Sequence, residues 1–301
     1  MLVARHPRGM EMHGIYVPIV TPFEADGSVA LAALDELARS VLAEGATGLV
    51  ALSTTGESAL LTAREKSDVL AVCGRVCRES GAPLIVGAGG SAIESSAHEL
   101  QRLSGLADAA LVPTPPLVRP SLDGVLAHFT YLAERSPVPV IVYDVPHRTG
   151  CALDAQTLGA NGSLPGVIGV KFAHGVVDAE AVEVLGNPPP GFAVLAGDDA
   201  FLSPLLAMGA AGGILASAHL ATARFVEFVE AWDKGDLERV RTLGHALAEV
   251  SLAAFAEPNP AVIKAVLADH GRIPSASVRR PLLPASGDAL ARTLAALRAL
   301  I

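Results

Sequence analysis

Short runs of apolar residues alternate along this chain with longer stretches in which apolar positions recur every three or four residues. The short runs have strand length, at residues 15–21, 48–52, 84–87, 109–112, 140–143, 167–171, 193–196 and 213–216. A helical pattern follows each one. Over residues 30–43, for example, Leu31, Leu34, Leu37, Ala38, Val41 and Leu42 form one apolar stripe. Thr62 and Glu65 stand three apart, as a capping box requires, and predict a helix running to about residue 79. Strictly alternating units imply parallel strands joined by crossover helices, and eight of them match a closed (β/α)8 barrel, with a doubly wound open sheet as the competitor. Strand signals stop after Lys234, and 236–255, 259–269 and 287–301 read as a C-terminal three-helix extension. The division expected is therefore a barrel over 1–235 and a helical domain over 236–301. In Glu257-Pro258-Asn259-Pro260 the pattern predicts Asn259 as a helix N-cap, with Pro260 at the first helical position.

Composition narrows the function classes. The 301 residues are 51% hydrophobic and 18% charged, which excludes an intrinsically disordered chain. Acidic residues outnumber basic ones 31 to 22, and aromatics are only 4%, which argues against a nucleic-acid partner. Cys73, Cys77 and Cys151 cannot build a disulfide framework, so a cytoplasmic location is expected. Residues 1–9 carry no apolar core of signal-peptide length. Residues 200–223 lack Asp, Glu, Lys and Arg, but Pro204, Gly209, Gly212 and Gly213 read better as a buried helix–strand pair than as a membrane span.

Several motifs have plain readings. Gly87-Ala88-Gly89-Gly90-Ser91-Ala92 fits a dinucleotide fingerprint, yet a glycine turn at a barrel rim needs no cofactor. Cys73 and Cys77 lack metal-ligand partners at suitable spacing, and the nine histidines are scattered, so neither a metal nor an organic cofactor is expected. Asp198-Asp199 reads as helix capping rather than a magnesium site.

Lys171 is different, because it ends a strand on the face where parallel barrels place their chemistry. An ammonium in apolar surroundings is costly, so the neutral amine becomes accessible and can attack a ketone to form a Schiff base; the competing reading is a structural ion pair. Tyr143 ends another strand and offers a phenol for proton transfer. Arg148 follows it with a fork suited to a carboxylate. Thr54-Thr55-Gly56-Glu57 follows the second strand, with hydroxyls and backbone N–H groups that could hold a second carboxylate.

Val20-Thr21-Pro22-Phe23, Ser53 through Ser58, Tyr143 through Gly150, Gly169-Val170-Lys171, Gly197-Asp198-Asp199, Glu257 through Pro260 with Lys264, and Arg280 through Pro284 run nearly end to end. Together they resemble the dihydrodipicolinate synthase and N-acetylneuraminate lyase superfamily of pyruvate-dependent class I aldolases. The resemblance implies a Schiff base between Lys171 and pyruvate, with Tyr143 as acid/base and Thr54 in a proton relay. It implies Thr55 and Gly56 at the pyruvate carboxylate, Arg148 at the carboxylate of the second substrate, and the Ile214 backbone carbonyl facing the pyruvate. It further implies a homo-oligomer, usually a tetramer of two tight dimers. Arg148 in Arg148-Thr149-Gly150 favours condensation of pyruvate with aspartate semialdehyde. The alternative is a pyruvate-forming aldolase or dehydratase acting on a 2-keto-3-deoxy sugar acid; a keto-acid-binding barrel without turnover is the non-enzyme reading.

The chain departs from that pattern in places. Leu117 stands where a relay tyrosine usually reaches across the dimer, Asp144 where Asn is usual, and Phe172 where Glu is common. Positions resembling the lysine-inhibition site of such enzymes read Ala63, Lys66, Ser91, Ser95 and Pro116, which predicts no response to L-lysine.

Overall fold

The structure is a computed structural model describing residues 10 and 12–300. The N-terminal stretch read above, residues 1–9, and the last residue of the final predicted helix lie outside the described residues. Eight parallel strands form the centre: β1 (Gly14–Pro18), β2 (Gly48–Ala51), β3 (Leu84–Gly87), β4 (Ala109–Pro113), β5 (Val140–Asp144), β6 (Val167–Phe172), β7 (Ala193–Ala196) and β8 (Gly212–Ile214). They pair in chain order, and β8 closes on β1 through Gly14–Gly212, Ile15–Gly213 and Tyr16–Ile214. That closure makes the architecture a (β/α)8 barrel rather than an open sheet. The seam needs glycine: a Cβ on Gly212, whose φ is +140°, would lie 2.0 Å from the Gly14 carbonyl oxygen.

The crossovers are α1 (Leu31–Ala43), α2 (Ala63–Ser80), α3 (Ile93–Gln101), α4 (Leu122–Ala133), the short α5 (Pro146–Thr149) with α6 (Ala155–Gly162), α7 (Ala179–Gly186), α8 (Leu202–Ala207) and α9 (Thr222–Lys234). The helices α10 (Leu237–Ala254), α11 (Ala261–Asp269) and α12 (Gly287–Leu300) follow. At the start of α2 the Thr62 hydroxyl accepts from the Glu65 N–H, and the Glu65 carboxylate accepts from the Thr62 N–H. The polar-poor stretch at 200–223 supplies α8 and β8, and no described helix is long and apolar enough to cross a membrane.

Strand alternation sorts the core into two layers. Tyr16, Val50, Ile85, Leu111, Ile141, Tyr143, Leu195 and Ile214 face inward and fill the barrel. Val17, Leu49, Val86, Val112, Val142, Val170 and Val194 face outward against the helices. Each fully buried side chain of this size stabilises the fold by roughly 1.5–3 kcal/mol. Lys171 shares the inward register and so enters the barrel mouth rather than the helix layer.

Four local expectations are corrected. The first strand ends at Pro18, because the Val20 N–H turns to His219 Nε2 (3.2 Å) and the Thr21 hydroxyl to the Gly56 carbonyl (2.7 Å). The eighth strand ends at Ile214, because the Asp199 carboxylate takes the Ser217 N–H and draws the chain into a 3-10 turn, Ala216–His219. Asn259 does not cap α11; Pro260 occupies the cap position and the Asn259 side chain points at the barrel rim. Asp198 and Asp199 make no side-chain cap either: Asp198 accepts from the Gly175 N–H and Asp199 from Ser217.

Candidate active site

The C-terminal ends of the strands gather most of the residues singled out above. Lys171 on β6 is 6% exposed and lies beside Tyr143 on β5, its register partner. Its Nζ sits 4.6 Å from the centroid of the Tyr143 ring. Among the described residues no carboxylate lies within ion-pair distance of it. The other buried lysine is built differently. Lys264 of α11 is fully buried, and its Nζ donates to Glu57 Oε1 at 2.8 Å while lying 4.0 Å from the Phe23 ring centroid. Burial lowers Lys264 to about 8, against the upward pull of Glu57. The ion-pair reading therefore fits Lys264 and finds no partner at Lys171.

A cavity of about 280 Å³ opens at this face, with Thr54, Tyr143, Arg148, Thr149, Lys66, Pro116 and Glu99 in its walls. Arg148 reaches it because Pro146 opens the one-turn helix α5, where a missing N–H is harmless, directly after β5. Ile214 is fully buried in the inward-facing cluster that also contains Tyr143, on the opposite side of the barrel. Thr54, Thr55 and Gly56 form a 3-10 turn after β2. The turn is closed tightly: a Cβ on Gly56 would stand 3.0 Å from the Ile19 carbonyl. Lys171, Thr55, Gly56 and Ile214 are buried and do not line this cavity, whereas Thr54, Tyr143 and Arg148 do.

Several contacts around these residues were not foreseen from the sequence. Asn259 Nδ2 donates to Thr55 Oγ1 at 3.0 Å across 204 residues. Glu57 takes the Lys264 ammonium on one oxygen and the Arg279 N–H (2.7 Å) on the other. Asp144, fully buried, meets His174 Nε2 at 2.7 Å, and His174 Nδ1 meets Asp178 at 3.3 Å. Burial raises the Asp144 carboxyl, against the pull of His174. Burial alone would lower His174, but the hydrogen bonds and charges of Asp144 and Asp178 raise it on balance. Phe172 stacks on His174 with centroids 3.9 Å apart, so the residue standing where Glu is common packs outward. Burial raises Asp199 to about 6, partly offset by its bonds to Ser217. Leu117 is 89% exposed with a φ of +71° and does not enter the cavity. None of these contacts carries a sequence signal beyond the motifs themselves, because their partners are remote in the chain.

The glycine turn after β3 has its amides engaged: Gly89 N–H donates to Glu99 Oε2 (2.8 Å) and Gly90 N–H to Ser96 Oγ (3.0 Å). Side chains of its own helix thus occupy the donors a pyrophosphate would need. Cys73 and Cys77 are buried and unbonded to each other, and burial pushes the Cys77 thiol up to about 12. Among the described residues no group of three His, Cys, Asp or Glu could hold a metal ion.

Comparison with known proteins gives a consistent result. The model of the dihydrodipicolinate synthetase family matches residues 11–300. The chain is 34% identical over 278 residues to 4-hydroxy-tetrahydrodipicolinate synthase 2 of Clostridium acetobutylicum, covering 92% of this chain and 96% of that one. It is 37% identical over 285 residues to 4-hydroxy-tetrahydrodipicolinate synthase of Nitratidesulfovibrio vulgaris, covering 91% and 94%. Among solved structures it superposes on dihydrodipicolinate synthase of Thermotoga maritima with a TM-score of 0.91 at 30% identity, covering 96% and 98%. The chloride-inhibited dihydrodipicolinate synthase of Acinetobacter baumannii, complexed with pyruvate, gives 0.90 at 30% identity with the same coverage.

Proposed function

Because the chain belongs to the dihydrodipicolinate synthetase family, we propose that it is a lyase condensing pyruvate with aspartate semialdehyde through a Schiff base on Lys171. The observation that carries this reading is the buried amine, without a carboxylate partner among the described residues, set over the Tyr143 ring at the barrel mouth. The neutral amine attacks C2 of pyruvate, and loss of water leaves the imine. Tyr143 takes a proton from C3, and the resulting enamine attacks the aldehyde carbon. A proton returns to the new alkoxide through Thr54, and hydrolysis frees the lysine. Thr55 and Gly56 hold the pyruvate carboxylate, the Ile214 carbonyl faces the bound pyruvate, and Arg148 receives the carboxylate of the second substrate. The family resemblance supports a cytoplasmic homo-oligomer, a dimer or tetramer, with residues 236–301 as a helical domain on the barrel 1–235.

One observation favours a second reading. The exposed Leu117 cannot carry a proton, which suits an aldolase or dehydratase releasing pyruvate from a 2-keto-3-deoxy sugar acid. Assay of both aldehydes and sugar acids separates the two.

The test of the mechanism is borohydride reduction in the presence of pyruvate. It should trap one adduct per chain, mapped to Lys171, and Lys171→Arg should abolish it because a guanidinium stays protonated. An adduct on Lys264, or none, would overturn the assignment.

A further inference from the structure

The turn 54–57 is not held by the barrel alone. Residues from the far end of the chain grip it at two points: Lys264 Nζ and the Arg279 N–H on the Glu57 carboxylate, and Asn259 Nδ2 on Thr55 Oγ1. The Glu57 contacts anchor the turn, and the contact at Thr55 has a direction. A threonine hydroxyl owns one hydrogen and two acceptor lone pairs. An amide N–H pointing at Oγ1 fills a lone pair and leaves the hydroxyl hydrogen available. An acceptor at the same place would engage it. Asn259 is rigidly aimed, because Pro258 and Pro260 fix φ on either side of it. Its Oδ1 is buried with no partner among the described residues, an unfavourable arrangement tolerated in an orientation that presents the donor to Thr55.

We propose that Asn259 is a positioning residue for pyruvate: by donating to Thr55 Oγ1 it keeps the Thr55 hydroxyl hydrogen free to donate to the substrate carboxylate. This rests on the reading of Thr55 as a ligand of that carboxylate. Asn259 touches no reacting atom, so its removal acts on pyruvate binding and spares the chemical step.

Polarity can be reversed at nearly constant shape. Asn259→Asp offers only acceptors when ionised, takes the Thr55 hydrogen and adds a negative charge near the carboxylate site. Its KM for pyruvate should rise roughly tenfold or more, the scale of a lost charge-assisted hydrogen bond. At saturating pyruvate kcat should stay within about threefold of the parent, with the KM for the aldehyde within about twofold. Asn259→Ala should raise the pyruvate KM less than Asn259→Asp. Lowering the pH through the carboxyl range protonates the introduced carboxylate and restores a donor at this position. The KM defect of the Asn259→Asp variant alone should then shrink, which a purely structural defect would not do. Thermal unfolding establishes that each variant is folded, and Asn259→Ala carries the test if the Asn259→Asp variant is not. Borohydride trapping at saturating pyruvate should persist in all variants; its absence from the parent protein would fail the Schiff-base reading instead. A folded Asn259→Asp protein with an unchanged pyruvate KM, or a loss equal to that of Asn259→Ala at every pH, overturns the proposal.

Discussion

Lys171 and Lys264 are both nearly buried, and the difference between them lies in what each faces. Lys264 pairs its charge with Glu57, whereas Lys171 faces the ring of Tyr143, a residue of the cavity wall. In the proposed mechanism Tyr143, its register partner, carries the proton. Tyr143→Phe should lower kcat by roughly 10²–10⁴-fold while pyruvate trapping on Lys171 persists, since general acid–base groups contribute on that scale. A loss below tenfold in steady-state assay would mean that another group moves the proton. Arg148 lines the cavity while Lys171, Thr55 and Gly56 do not, so Arg148→Ala should raise the KM of an acidic aldehyde by an order of magnitude or more and leave that of pyruvate nearly unchanged. These residues were legible in the sequence because each follows an apolar strand, and strand ends of a parallel barrel converge. Asn259, Asp144 with His174, and Asp199 with Ser217 were not, because each depends on a partner that only the folded chain brings near. Asn259 even carried a misleading signal: a residue before proline at a helix start looks like a cap.

At the scale of elements, the strands and helices were readable to within a few residues, because short apolar runs and period-3.6 stripes rarely overlap in this chain. The ends of β1 and β8 were not, since side chains rather than the ladder terminate them. His219 is one such stitch. Its Nε2 accepts from the Val20 N–H and its Nδ1 donates to the Ala216 carbonyl (2.8 Å), which requires the neutral ring. Burial lowers it to about 4. In the unfolded chain the ring titrates near 6.5, so the unfolded state takes up the proton first as pH falls. The contribution of this group is therefore complete above about pH 6.5 and lost between there and about pH 4. His219→Gln keeps an acceptor for Val20 without the titration. Its melting temperature at pH 7.5 should be a few degrees below the parent, and the gap should narrow on acidification to pH 4.5. A constant gap across that range would show that His219 does not titrate on unfolding.

At the scale of the whole molecule, the closed barrel brings residues from several loops to one rim. Lys66 and Pro116, two of the positions that resemble a lysine-inhibition site, share a cavity wall with Thr54 and Arg148. The Ser91 hydroxyl donates to the Pro116 carbonyl and is thereby engaged. Lys66 and Arg148 place positive charge there, and Glu99 accepts from the Gly89 N–H. A ligand ammonium would meet Glu99 as the one carboxylate of this wall, with one oxygen already accepting from Gly89, against the two cations Lys66 and Arg148, so its desolvation would be poorly compensated. Calorimetry with millimolar L-lysine should show no saturable binding, and a parallel assay no inhibition; saturation with inhibition would contradict this charge argument.

The Glu57–Lys264 pair joins positions 207 residues apart. Protein synthesis runs from the N-terminus, so every strand of the barrel is made before the cation that Glu57 requires. A buried carboxylate without its partner is unfavourable by several kcal/mol. Until Lys264 and Arg279 have left the ribosome, the 54–57 turn lacks the partners that hold its Glu57 carboxylate. The nascent barrel can collapse around its apolar layers with the 54–57 turn still unanchored, and that turn is fixed only when α11 and the segment carrying Arg279 dock. In a growing chain, the anchoring of this turn is among the last contacts to arrive.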